Sequence, residues 1–92
     1  MYAISSGKKF KKDMKRLKRS GSFDARRFIE FINILDSGKA LDDSFRNHEL
    51  SGNFFGFSEC HLSSDLLVVY RVDKFLKEVS LYRIGSHSEI FG

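Results

Sequence analysis

The sequence predicts an α+β domain, with an N-terminal strand and a helical hairpin packed on a small antiparallel β-sheet. Three observations predict it. Apolar residues recur at helical spacing up to Gly38. Beyond that point the period changes to two. A continuous apolar run, Leu66-Leu67-Val68-Val69-Tyr70, then marks a strand buried on both sides and central in the sheet. Ninety-two residues, 41% of them hydrophobic and ten of them Phe, can build one core and leave little room for a second. Residues 1–92 therefore read as a single domain, with no repeats, linkers or proline to interrupt it.

Tyr2-Ala3-Ile4 reads as a short first strand. Phe10, Met14 and Leu17 follow at i, i+4 and i+7, one face of a helix whose remaining surface is Lys and Arg. Ser20-Gly21-Ser22 ends it, and Ser22 is placed to cap a second helix. That helix repeats the spacing with Phe28, Phe31, Ile32 and Leu35, and Gly38 supplies its stop. Two helices joined by a short glycine turn make a helical hairpin. Gly52, Gly56 and the stretch Phe54-Phe55-Gly56-Phe57 suit a tight connection between strands. From Phe55 to Leu62, alternation puts Glu59 and His61 on one face and Cys60 on the other. Val72-Asp73-Lys74-Phe75 reads as a turn, and Glu78 through Ile84 as the last strand of an antiparallel meander.

The net charge of +4 is unevenly spread. Residues 1–27 hold ten Lys/Arg against two acids, a charge of +8, whereas residues 28–92 hold six against ten, a charge of −4. A basic front half suits an anionic partner, either a nucleic acid or an acidic protein. The first eight residues lack the apolar segment of a signal peptide, and the single Cys60 cannot form an internal disulfide, so the expected compartment is the cytoplasm. No apolar run reaches the roughly 18 residues of a membrane span. A DNA-binding regulator would need a helix-turn-helix pattern after the basic helix, and none follows.

The chain has three histidines, each in a short polar signature: Asn47-His48-Glu49-Leu50, Glu59-Cys60-His61-Leu62 and Gly85-Ser86-His87-Ser88. Histidine is the side chain best suited to proton exchange near neutral pH. Three of them on a small basic scaffold point to proton transfer on a phosphate-bearing substrate. Metal chemistry is not expected, and no cofactor is. Cys60 and His61 are adjacent on a strand and face opposite ways, and there is no Cys-x-x-Cys or His-x-x-x-His pair.

These residues, with Gly52, Gly56, Asp65, Leu67-Val68-Val69-Tyr70, Arg83 and Phe91-Gly92, resemble the YafQ-type toxins of the RelE/ParE superfamily. The order and spacing are kept across nearly the whole chain, with 13 residues from His48 to His61 and 26 from His61 to His87. The resemblance implies the toxin half of a bacterial type II toxin–antitoxin module. Its activity would be that of an endoribonuclease that cuts mRNA in the ribosomal A site without a metal, by activating the 2′-hydroxyl beside the scissile phosphate. A cognate antitoxin would inhibit it in a hetero-oligomeric complex. The alternative on the same fold is a non-catalytic or gyrase-directed ParE-like toxin, and the histidine set discriminates against it.

Such cleavage needs a base for the 2′ proton, an acid for the leaving 5′ oxygen, and groups that hold the charge on phosphorus. On the resemblance, His48 is the expected base and His87 the expected acid. His61 is a phosphate contact or an alternate proton carrier, and Glu59, a substrate-site residue on the same strand face, orients its imidazole or raises its pKa. Asp65 positions a histidine or the 2′-hydroxyl, or simply caps the turn at Ser63-Ser64. Arg83 suits the pentacovalent phosphate through its planar fork of donors, unless a salt bridge to Glu78 or Asp73 engages it. Phe91 stacks on a base or closes over the site, or packs in the ordinary way. The chain departs from the family pattern at Asn47, where an acid is usual, and at Phe55 and Ser58, where cations are frequent.

Overall fold

The structure, a computed structural model, describes residues 1–21 and 23–92. Strand β1 (Ala3–Ser6) leads into helices α1 (Lys8–Ser20) and α2 (Ala25–Asp36). Strands β2 (His48–Glu49), β3 (Ser58–Ser63), β4 (Leu66–Asp73) and β5 (Glu78–Gly85) follow, and a short helix α3 (His87–Phe91) ends the chain. The sheet order is β1-β5-β4-β3-β2. From β2 to β5 the strands form the expected antiparallel meander. β1 instead pairs with β5 in parallel, so the sheet is mixed. The helical hairpin carries the chain from one edge of the sheet to the other, and three reversals then lay β5 beside β1 in the same direction.

The helical hairpin forms where spacing predicts it. Phe10, Leu17, Phe31 and Leu35 are buried against the sheet. The expected cap Ser22 lies outside the described residues. Asp24 caps α2, its side chain accepting the backbone N–H of Arg27 at 3.1 Å. Gly38 ends α2 in the left-handed conformation (φ 77°), its N–H donating to the Leu35 carbonyl at 3.0 Å. Leu66 to Tyr70 are all buried, and β4 is the middle strand. Against one face lie Phe31, Phe45, Cys60, Val68, Tyr70 and Ile84, with the Phe31 and Tyr70 rings edge to face at 5.2 Å. Leu67, Val69 and Ile90 form a smaller cluster on the other. Burial pushes the Cys60 thiol up to about 12, which leaves it inert.

Strand boundaries differ from expectation: β1 is Ala3–Ser6 where the sequence predicts residues 2–4, and β3 starts at Ser58, not at Phe55. β4 continues through Val72 and Asp73, which pair with Val79 and Glu78, so the turn begins at Lys74. Asp73 closes it by accepting the N–H of Leu76 at 2.9 Å. The segment after β5 is helical, because Ser86 and Glu89 form a reciprocal capping box.

Beyond the end of β1, helix α1 covers the open edge of β5 with a carboxylate. Asp13, 3% exposed, accepts the Ile84 backbone N–H at 3.1 Å. It also accepts Arg83 Nε at 2.7 Å, Arg83 Nη2 at 3.2 Å and Arg16 Nη1 at 3.1 Å. Burial alone would push this carboxyl up. The donors of Arg83, Ile84 and Arg16 outweigh it and hold the carboxyl below its ordinary 3.8. As pH falls the unfolded chain therefore takes up this proton before the folded one does. The stability contributed by Asp13 is complete above about pH 4 and is lost as pH falls through the lower folded value. Urea unfolding at about pH 7 and about pH 3 is expected to show an acid loss of stability that is smaller in Asp13→Asn than in the wild type. Equal losses would show that Asp13 contributes nothing to acid sensitivity.

Candidate active site

The site builds up on the sheet face opposite the helical hairpin. In register, His48 lies beside Glu59, Glu59 beside Val69, and Val69 beside Arg83. The next row places His61 beside Leu67 and Leu67 beside Gly85. Alternation along β3 turns Glu59 and His61 to this face and Cys60 to the core, as the sequence predicts.

The centre of the arrangement is one carboxylate oxygen. His48 Nε2 lies 3.4 Å from Glu59 Oε1, and His61 Nε2 lies 3.6 Å from the same atom. Both are longer than well-formed hydrogen bonds, and each becomes an ion pair only when its imidazole is protonated. Glu59 is 5% exposed, and its two neighbours differ sharply. The His48 side chain is 54% exposed at the sheet edge, with Nδ1 3.2 Å from the Arg46 carbonyl. The His61 side chain is 19% exposed, and its Nδ1 is buried with no hydrogen-bond partner among the described residues. Burial holds the His61 imidazole below its ordinary 6.5. The positive charges of Arg46 and His48 push the same way, against the raising effect of Glu59.

The remaining candidates are placed differently. His87 opens α3 and is exposed, its ring 4.9 Å from that of Phe91. Phe91 is half-buried and meets Phe54 edge to face at 5.1 Å, so it packs onto the Leu67–Val69–Ile90 cluster. His87 and Phe91 thus form a second pair on the face that carries His48, Glu59 and His61. Asp65 stands apart in the exposed β3–β4 turn and makes no side-chain hydrogen bond or ion pair among the described residues. Arg83 turns its guanidinium to Asp13 of α1, a partner 70 residues away, and not to Glu78 or Asp73.

Three features of the site are not legible from sequence reasoning. Arg46, in a left-handed backbone conformation (φ 49°, ψ 44°), brings a cation near enough to His61 to disfavour its protonation. Its signal is only its position before Asn47-His48. Asn47 accepts a hydrogen bond from the Tyr70 hydroxyl, which anchors the approach to β2 on the core. Phe54, Phe57 and Tyr82 form an aromatic patch beside Phe91, with Phe57 and Tyr82 centroids 4.9 Å apart. A cavity of about 510 Å³ is lined by Asn47 and Glu49 but not by His48, so it opens on the other side of β2 from the imidazoles. Among the described residues no group of three or more His, Cys, Asp and Glu side chains converges to hold a metal ion.

Residues 2–92 match the family described as bacterial toxin of type II toxin-antitoxin system, YafQ. A YafQ-named protein of Haemophilus influenzae is 30% identical over 91 residues, which cover 94% of this chain and 88% of that one. A metal-bound toxin from Helicobacter pylori, 40% identical, matches 99% of this chain and 100% of its own with a TM-score of 0.89. The E. coli DinJ–YafQ complex contains a chain of the same fold, 22% identical, with full coverage of both chains and a TM-score of 0.86. The family match along almost the entire length places this chain in the YafQ family of bacterial type II toxin–antitoxin toxins.

Proposed function

We propose that the chain is an mRNA endoribonuclease that acts on ribosome-bound message, cleaves through the 2′-hydroxyl without a metal, and is neutralised by a cognate antitoxin. The observation that carries this reading is the pair of imidazoles, His48 and His61, on either side of one buried carboxylate, that of Glu59. His48, the exposed member, takes the 2′ proton. The Glu59 carboxylate stabilises the imidazolium that forms. The freed 2′ oxygen attacks phosphorus, and the bond to the 5′ oxygen breaks as His87 gives that oxygen its proton. The products are a 2′,3′-cyclic phosphate and a 5′-hydroxyl. His61, held neutral by its burial, presents an N–H to the phosphate or relays a proton. Asp65 positions a histidine or the 2′-hydroxyl as the substrate seats. Arg83 and Arg46 are the cations available to the developing charge, where Phe55 and Ser58 supply none.

Supporting this reading, the imidazoles lie on an open sheet face, a shape that admits a polymer. Helix α1 carries eight Lys/Arg, and its single acid, Asp13, is buried, so its exposed charge is positive throughout. Such a helix suits ribosomal RNA or an acidic antitoxin. The E. coli relative is seen with DinJ, which supports an antitoxin as the partner here. The H. pylori toxin is metal-bound. The reaction proposed here assigns no step to a metal.

Cleavage of message on programmed ribosomes is expected to fall about 10²- to 10⁴-fold in His48→Ala and His87→Ala, and by less in His61→Ala. In any assay on isolated RNA, cleavage is expected to survive chelators. Full activity of all three variants at matched soluble levels would remove the proton-transfer assignment. In cells expressing the protein alone, pulse-labelling is expected to show protein synthesis stopping before DNA synthesis. The reverse order would mark a gyrase-directed toxin.

A further inference from the structure

We propose that Asp13, a residue of the basic helix, is the positioning residue of the cleavage site: it fixes Arg83 and, through Arg16, the helix that bears His87 and Phe91. The proposal rests on the cleavage reading above. Its starting point is the size of α3. Five residues cannot hold a helix by themselves, because nucleation is costly and too few bonds follow. The position of α3 therefore depends on what ties it down.

Apart from Ile90 and Phe91 packing on the sheet, those ties lead back to one carboxylate. Asp13 Oδ1 accepts Arg16 Nη1 at 3.1 Å, and Arg16 Nε lies 3.1 Å from Glu89 Oε2. Glu89 Oε1 accepts the Ser86 N–H at 2.9 Å, and Ser86 Oγ accepts the Glu89 N–H at 3.2 Å, which closes the cap just before His87. A second branch runs through Arg83, whose Nε and Nη2 are held by Asp13 and whose Nη2 reaches the Glu89 carbonyl at 3.5 Å. Arg83 Nη1 makes no hydrogen bond among the described residues, so its N–H donors remain for a phosphate. Gly85 shows how closely the branches are packed. A Cβ there would lie 2.8 Å from Glu89 Oε1 and 3.1 Å from Arg16 Nη2. Asp13 touches no reacting atom in this scheme. Both groups expected to meet the 5′ oxygen and the phosphate, His87 and Arg83, take their places from it.

Asp13→Asn keeps the shape of the side chain and removes its charge. The double variant Arg16→Gln/Glu89→Gln cuts the branch to α3 at partly exposed positions; it takes the Arg16 donor from Asp13 and leaves those of Arg83 and Ile84 in place. Two measurements apply to each: single-turnover cleavage of message on programmed ribosomes over a range of ribosome concentration, and the NMR signals of the three imidazoles. Asp13→Asn is expected to lower the saturated rate by about 10- to 100-fold, the scale of a misplaced catalytic group. The His87 signals are expected to move while those of His48 and His61 stay. The double variant is expected to move His87 in the same way. Asp13→Asn that folds, cleaves at the wild-type rate and leaves His87 unmoved would overturn the proposal. If Asp13→Asn does not fold, the double variant decides, and an unmoved His87 there overturns it equally. Wild-type protein that fails to cleave would instead refute the cleavage reading, and the His87 signals would still decide whether Asp13 positions α3.

Discussion

Everything in this fold follows from a strand that must be covered twice. Leu66 to Tyr70 are apolar without interruption, so β4 cannot leave either face to water. The helical hairpin covers one face with Phe10, Leu17, Phe31 and Leu35. A smaller lid of Ile90, Phe91, Phe54, Phe57, Leu50 and Tyr82 closes over Leu67 and Val69 on the other. That lid is shorter than the sheet. Past its margin, on β2 and β3, the same face carries His48, Glu59 and His61. The candidate site is thus the part of the second face that the core does not need.

Two charged side chains are buried among the described residues, Asp13 and Glu59, and their partners set their uses apart. Asp13 is held by two guanidinium groups and a backbone N–H, donors whose charge and position do not change over any physiological pH. It therefore acts as a fixed joint between α1, β5 and α3. Glu59 is flanked by two imidazoles, side chains that, unlike a guanidinium, can give up their proton. The same chemical group serves architecture in one place and, in the proposed reaction, proton exchange in the other. Arginine against histidine is the difference.

Local pattern made much of this legible. Period-two alternation separates Glu59 and His61 from Cys60, helical spacing identifies Phe31 and Leu35, and the glycine at position 38 marks where α2 stops. The unread parts are those set by distant partners. Asp13 reads as one acid in a basic helix until Arg83 and Ile84, 70 and 71 residues on, come to meet it. The parallel pairing of β1 depends on the whole path between it and β5. Helix α3 has a local signal, Ser86 three residues before Glu89, but it is too short to show a periodic apolar face. Arg46 has none, because its effect on His61 arises only when β2 and β3 pair.

The central claim is that Glu59 and the two imidazoles around it form one electrostatic unit. The most direct test is an NMR titration of His61 in the wild type and in Glu59→Gln. His61 is expected to titrate below its ordinary 6.5 in the wild type, because burial dominates. A further fall is expected in Glu59→Gln, because the one charge that favours the imidazolium is gone. A His61 that titrates at or above the ordinary value, or that does not respond to the loss of the Glu59 charge, would contradict the claim.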